Sequence, residues 1–167
     1  MAGATTEPHT TSRVLMIRPA AFGANPETVA TNAFQSASGS SAAVQAEALA
    51  EFDALVQTLG QNGVEVFVGE DTATPPKPDA LFPNNWVSFH PGGKVVLFPL
   101  QAPSRRAEVR LDLLGRLEAR GAIAPRTQID LRPGAEHFGY LEGTGSLVLA
   151  RARHVAYACL SPRTSAR

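Results

Sequence analysis

The chain has 167 residues with fifteen basic and fifteen acidic side chains, so its formal net charge is zero. That length suffices for one globular domain with a buried core, and the balanced charge argues against nucleic acid as a partner. No apolar run reaches the roughly 18 residues of a membrane span, and the single cysteine excludes an internal disulfide. We therefore expect a cytoplasmic protein without a membrane segment.

Polar and threonine-rich residues 1–12 predict a disordered segment ahead of a single domain over 13–167. Val14 to Ile17 then forms an apolar run that predicts a buried strand. Asn25, followed by a proline, is typical of a helix start. A long helix is predicted from about Ser41 to Leu59, because apolar side chains recur there at helical spacing and glycines follow.

The second half of the sequence predicts hairpins. In chain order we expect a strand, a hairpin around Pro-Gly-Gly-Lys, a helix capped by Ser104, a strand and a second hairpin: 64–68, 86–98, 104–120, 127–131 and 146–160. The two hairpins begin roughly 60 residues apart, as in repeated supersecondary units. The pattern therefore predicts an α/β protein whose units share a core. The units are strand–helix–strand, hairpin–helix–strand and a third unit that begins with the second hairpin. This third unit stops at Arg167, where its helix is expected, so we expect an incomplete domain.

Four segments resemble the guanidine-modifying superfamily, and especially its citrulline utilisation hydrolase branch: 16–23, 31–35, 82–86 and 141–146. Residues 157–164 extend the likeness, which covers about 14 to 167. The resemblance implies a partial pentein, an α/β propeller of five ββαβ-type units of which about half is present.

The resemblance also implies a covalent reaction. In that superfamily a cysteine thiolate attacks the planar carbon of a guanidinium or ureido group, and a histidine acts as acid and base. It implies a hydrolase acting on citrulline, arginine or a related small molecule, without a cofactor. It places the cysteine and the histidine beyond residue 167, so we expect this chain alone to be inactive. Cys159, in an apolar run, is expected to be an inert core residue.

By resemblance, Glu142 matches the acidic residue that contacts the substrate amidine or orients the histidine. Asn85 stands where arginine deiminases and amidinotransferases usually have an aspartate. A neutral amide both donates and accepts hydrogen bonds, so Asn85 suits the neutral ureido group of citrulline. The alternatives are a solvated residue at a strand entry for Glu142 and a turn residue for Asn85. Trp86 is expected to be a core residue or a pocket wall.

Four further residues are candidates for substrate binding: Arg18, Asn32, Phe34 and Gln35. Arg18 ends a strand and is suited to a bidentate contact with a substrate carboxylate, with a structural salt bridge as the alternative. The other three resemble a substrate-facing loop. Their alternative is a capped loop that the Phe34 ring anchors.

The four histidines lack the close pairing of zinc ligands, so no metal site is predicted. His90 follows the Asn85 strand and is within possible reach of a pocket. The basic pair Arg105-Arg106 is expected at a solvated helix start. A second function stays open, because the same architecture occurs in a translation initiation factor that binds the large ribosomal subunit. The alternative is therefore a non-enzymatic binding module or a pseudoenzyme fragment.

Overall fold

The computed structural model describes residues 10–32, 35, 41–124 and 127–166. These residues form two compact units. The first unit comprises Ser12–Pro83 and Ala102–Gly115, and the second comprises residues 84–101 and 116–166 with residues 10 and 11. Within the described ranges, no helix is both long enough and apolar enough to cross a membrane.

A parallel pair of strands forms the sheet of the first unit. Strand β1, Arg13–Arg18, pairs with strand β2, Glu65–Glu70. Helix α1, Ala42–Gln61, connects them, as parallel strands require. The Ser41 hydroxyl caps the start of α1 with a 3.2 Å hydrogen bond, and Gly63, with a φ of 79°, follows its end. The predicted strand–helix–strand order is confirmed.

The prediction of a helix that starts at Asn25 is wrong. The segment forms a turn, followed by a short 3-10 helix at Val29–Thr31. The Asn25 side-chain oxygen accepts the Glu27 N–H at 3.1 Å, so it closes a turn on its own backbone instead of capping an α-helix. The Asn25 side chain is buried.

Helix α2, Leu111–Ala119, starts later than predicted. Ser104 lies in a 3-10 helix, Pro103–Glu108, and does not cap α2. Arg105 is buried, so its prediction as a solvated residue is wrong as well. The reason is Glu108, whose two carboxylate oxygens each accept a hydrogen bond from the Arg105 guanidinium at 2.9 Å.

The core of the first unit joins β1 to α2. Ile17, Ala80 and Leu113 form a buried cluster, and Leu15 packs against it. Gly69 in β2 makes room for this packing, because a Cβ there would lie 2.8 Å from the nearer Leu113 methyl carbon.

The second unit contains both predicted hairpins. Strands β3, Val87–His90, and β4, Lys94–Leu97, are antiparallel, and β5, Thr127–Asp130, pairs with β4 in parallel. Strands β6, Leu147–Ala150, and β7, Val155–Ala158, form the second antiparallel pair. The predicted hairpins and the strand near residue 127 are therefore confirmed.

Two short helices lie between β5 and β6, where the sequence pattern predicts neither a helix nor a strand. They are α3, Ala135–Phe138, and α4, Gly143–Ser146. Helix α4 leads directly into β6, so its position is fixed by the second hairpin.

Cys159, directly after β7, is exposed. The prediction of a buried core cysteine is therefore wrong. The apolar run around it indicated burial, yet every residue of β7 is exposed, and so is Leu160. An apolar sequence predicts a strand, but burial depends on what packs against that strand.

Candidate functional site

Asn85 and Glu142 both lie in the second unit, next to helix α4. Glu142 is the residue before the helix, and the next residues contact the Asn85 segment. A Cβ on Gly145 would overlap the Asn85 carboxamide oxygen, and a Cβ on Gly143 would overlap the Asn84 carbonyl oxygen. Glycine at both positions therefore permits the close approach of α4 to the start of β3.

The Glu142 carboxylate is buried, with a relative exposure of 1% for the residue. One carboxylate oxygen accepts the backbone N–H of Gln101 at 3.1 Å, and the other lies 3.8 Å from an Arg163 guanidinium nitrogen. The Glu142 backbone N–H also donates to the Arg163 carbonyl at 3.3 Å. A buried carboxylate requires such partners, and its burial excludes the alternative of a solvated residue at a strand entry.

Asn85 and Trp86 lie side by side at the start of β3. Asn85 ends a 3-10 helix, Pro83–Asn85, and is buried. Trp86 is completely buried, and among the described residues its indole N–H has no hydrogen-bond partner. The Trp86 carbonyl accepts the Phe98 N–H at 2.9 Å. Trp86 therefore has the environment of a core residue.

His90 pairs with a serine on the same strand. Its Nε2 lies 2.7 Å from the Ser88 hydroxyl, and its Nδ1 lies 3.5 Å from an Arg151 guanidinium nitrogen. An arginine only donates hydrogen bonds, so this contact favours the tautomer in which Nδ1 accepts and Nε2–H donates to Ser88. The sequence pattern available for this pair was its i, i+2 spacing, which puts both side chains on one face of β3.

Arg18, in the first unit, forms the salt bridge that the sequence left open as its alternative role. Its guanidinium donates two hydrogen bonds to the Asp53 carboxylate, each 2.8 Å long. The hydrogen bonds raise the pKa of Arg18 and lower the pKa of Asp53. Strand β1 is thereby tied to α1.

Gln35 and Asn32 lie close together in the first unit. The Asn32 carbonyl accepts the Gln35 N–H at 3.0 Å. The Gln35 side-chain amide donates to Asp79 at 2.8 Å, and its oxygen accepts from the Asn25 N–H and the Thr28 hydroxyl, both at 3.3 Å. Phe34 lies outside the described residues.

The sequence did not predict Asp79, which is the centre of a buried polar cluster. One of its carboxylate oxygens accepts from the Asn25 side-chain amide at 2.7 Å and from the Thr28 hydroxyl at 3.2 Å. The Arg105 guanidinium lies 3.6 Å away. A loop acid is ordinarily exposed, and these partners are distant in the chain, so neither composition nor local pattern indicated the cluster.

The structure therefore separates the predicted site residues into two groups. Asn85, Trp86 and Glu142 belong to the second unit, whereas Arg18, Asn32 and Gln35 belong to the first. Throughout the described ranges, no three His, Cys, Asp or Glu side chains come together in a group that could hold a metal ion.

Over residues 18–167 the sequence matches the profile of a family described as N,N dimethylarginine dimethylhydrolase, eukaryotic. The chain belongs to this family. The match includes both segments that carry Asn85 and Glu142. It confirms the predicted superfamily, while the citrulline utilisation branch stays a prediction. Comparison with the curated proteins found no match.

Solved structures of similar fold come from the same superfamily. A dimethylarginine dimethylaminohydrolase adduct with S-methyl-L-thiocitrulline has a TM-score of 0.60 at 18% identity over 92% of this chain. The N-terminal domain of ArgZ, an arginine dihydrolase from cyanobacteria, has a TM-score of 0.59 at 20% identity over 87% of the chain. AgrE in complex with ornithine and NAD+ has a TM-score of 0.58 at 23% identity over 89% of the chain.

These matches show the fold of the chain. The chain spans 52% of the dimethylarginine dimethylaminohydrolase, 47% of the ArgZ domain and 20% of AgrE. The prediction of an α/β chain with part of the pentein fold is confirmed.

Proposed function

We propose that this chain carries the ureido-binding part of a guanidino-modifying hydrolase whose substrate is citrulline, arginine or a related compound. The family membership supports this proposal, and so do the ligands named for its structural relatives, S-methyl-L-thiocitrulline and ornithine. The observation that carries it is the buried Glu142 carboxylate, which one short helix holds beside the Asn85 segment.

Glu142 has the chemistry for the proposed contact with an amidine or ureide. A carboxylate has about four lone-pair positions, so it can accept several N–H groups at once, and the N–H groups of an amidine or ureide suit it. Hydrogen bonds to an ionised acceptor are also roughly twice as strong as neutral ones. We propose that Glu142 binds the terminal nitrogens of the substrate or orients the catalytic histidine.

Asn85 favours a neutral substrate group over a cation. Its carboxamide accepts an N–H and donates to a carbonyl, which is what a ureido group offers. A guanidinium only donates, and it would be bound more strongly by a carboxylate. We therefore propose citrulline as the preferred ligand. Of the other candidates, Trp86 is proposed as a wall, Asn32, Phe34 and Gln35 as a substrate-facing loop, and Arg18 as a carboxylate ligand that must first leave Asp53.

The proposed reaction is hydrolysis of a C–N bond through a covalent cysteine adduct, without a cofactor. We do not assign the nucleophile to Cys159, and we expect no turnover from the 167-residue chain alone. A single free thiol agrees with the proposed cytoplasmic location.

Calorimetric titration of the purified chain with citrulline tests this proposal. We expect binding that Glu142→Gln weakens by about tenfold, which corresponds to the loss of one charge-assisted hydrogen bond. Glu118→Gln, on the exposed face of α2, is the matched control and should bind as the wild type does. Failure of the wild type to bind citrulline, arginine and dimethylarginine would reject the proposal. Equal binding by Glu142→Gln would reject the role of Glu142.

A further inference from the structure

The loop after β2 folds around a lysine side chain. Lys77 is one of two lysines in the sequence, and its side chain is buried in the first unit. Its ammonium contacts four oxygens: Asp71 Oδ1 at 3.1 Å, the Thr72 carbonyl at 2.8 Å, the Thr72 hydroxyl at 2.7 Å and the Pro75 carbonyl at 3.1 Å. An ammonium has three hydrogens and no acceptor, so these oxygens satisfy it completely.

One end of the ion pair is fixed to the sheet. Asp71 directly follows β2, and its N–H donates to the carbonyl of Arg18, at the end of β1, at 3.1 Å. The Asp71 side chain is as buried as that of Lys77. A buried carboxylate without a counter-ion is strongly destabilising. The ion pair between Asp71 and Lys77 therefore stabilises both the end of β2 and the loop that follows it.

Lys77, at the other end of the ion pair, is the first residue of a turn that contains Asp79. The Lys77 carbonyl accepts the Ala80 N–H at 3.0 Å, which closes a turn that contains Asp79. Ala80 then packs in the core cluster with Ile17 and Leu113. The position of Lys77 therefore sets where the Asp79 carboxylate meets the side chains that bind it.

We propose that Lys77 is a positioning residue that ties the Asp79 turn to Asp71, and that it thereby holds the Asp79 carboxylate against Asn25 and Gln35. Four oxygens around one point suit a compact ammonium and not a planar guanidinium, so arginine is a poor substitute. The inference rests on the proposed function in one respect, the role of Gln35 as a substrate-facing residue. The alternative is a loop that its prolines and backbone hold in place without the charge.

The test uses the side-chain amide resonances of Asn25 and Gln35 in ¹⁵N-labelled protein, because both groups donate to Asp79. Lys77→Ala should shift both resonances and lower the melting temperature by roughly 10 °C. Propylammonium chloride, which replaces the deleted methylenes and ammonium, should restore both readouts, whereas sodium chloride at equal ionic strength should not. Lys94→Ala, at an exposed site, is the matched control and should leave both unchanged.

Lys77→Met separates charge from volume. It fills the space without a charge, so we expect shifted amide resonances that propylammonium does not restore. Wild-type resonances in Lys77→Met or Lys77→Ala would overturn the proposal. If Lys77→Ala does not fold, folding on addition of propylammonium supports the proposal. An unfolded chain in saturating amine overturns it. A confirmed positioning role together with no binding of citrulline would reject only the proposed function.

Discussion

Gly143 and Gly145 bring two backbone segments of the second unit into contact at the candidate site. They are the first and third residues after Glu142, and the atoms they face belong to Asn84 and Asn85. The side chain missing from each glycine is therefore what allows the segment of Asn85, the binding candidate, to lie against the helix that follows Glu142, the catalytic candidate.

Gly145→Ala is the most direct single-residue test of this contact. The added Cβ would overlap the Asn85 carboxamide, so we expect Asn85 to move and citrulline binding to weaken by about tenfold. Overpacking a buried contact of this kind costs roughly 1–3 kcal/mol of unfolding free energy. Urea unfolding and calorimetry measure the two effects.

Gly115→Ala is the matched control for this substitution. Gly115 lies within α2, and in the part of the chain that the structure describes, no atom beyond its two neighbours and the backbone of its own helix lies within 4 Å of the position of an added Cβ. This variant should be more stable by about 0.5–1 kcal/mol and should bind citrulline as before. Unchanged binding by Gly145→Ala would contradict the proposed placement of Asn85.

Residues of the candidate site could be named from the sequence only where a local motif contains them. Glu142 and Asn85 lie in segments whose likeness extends over several neighbours. Asp79 has partners that are far apart in the chain, such as Asn25, 54 positions away. No local pattern indicates that a loop carboxylate will be buried by residues from three distant segments.

At the level of elements, the hairpins and the parallel pair were predictable because turn residues and apolar runs are local signals. The helix after Ser104 was misplaced for a tertiary reason. The Ser104 N–H and hydroxyl both donate to Glu27, at 3.0 and 2.7 Å, so this serine is engaged by a distant acid instead of capping a helix. These hydrogen bonds lower the pKa of Glu27.

The link between β1 and α1 predicts a dependence of stability on pH. The hydrogen bonds that the Asp53 carboxylate accepts from Arg18 hold the pKa of Asp53 below its ordinary value. Because the folded-state pKa is the lower one, the pair stabilises the chain above about pH 4. This contribution disappears as the pH falls through the folded-state pKa.

Asp53→Asn tests that dependence. We expect a small decrease in the midpoint of urea unfolding at pH 7, because exposed ion pairs contribute little. The decrease should shrink as the pH falls through the lowered folded-state pKa of Asp53, because the wild-type carboxyl then loses its charge. A difference between variant and wild type that stays constant from pH 7 to pH 2 would show that Asp53 acts through something other than its charge.

For the whole molecule, family membership and pentein fold agree with the periodicity of the sequence, which predicted repeated units of strands and helices, and with the resemblance, which implied part of a five-unit fold. The chain spans about half of the dimethylarginine dimethylaminohydrolase that it resembles. What the repeat pattern did not indicate was which strands are covered. The exposed residues of β7, including Tyr157, show that apolar composition alone does not decide burial.

We propose that Asn85 makes the second unit a binding site for a neutral ureido group. The most direct measurement compares the affinities for citrulline and arginine in the wild type and in Asn85→Asp by calorimetry. Asn62→Asp, an exposed position on the first unit, controls for the added charge. On this proposal, we expect the wild type to prefer citrulline and Asn85→Asp to shift the ratio of affinities toward arginine by at least about tenfold. A wild type that prefers arginine, or a ratio that Asn85→Asp leaves unchanged, would contradict it.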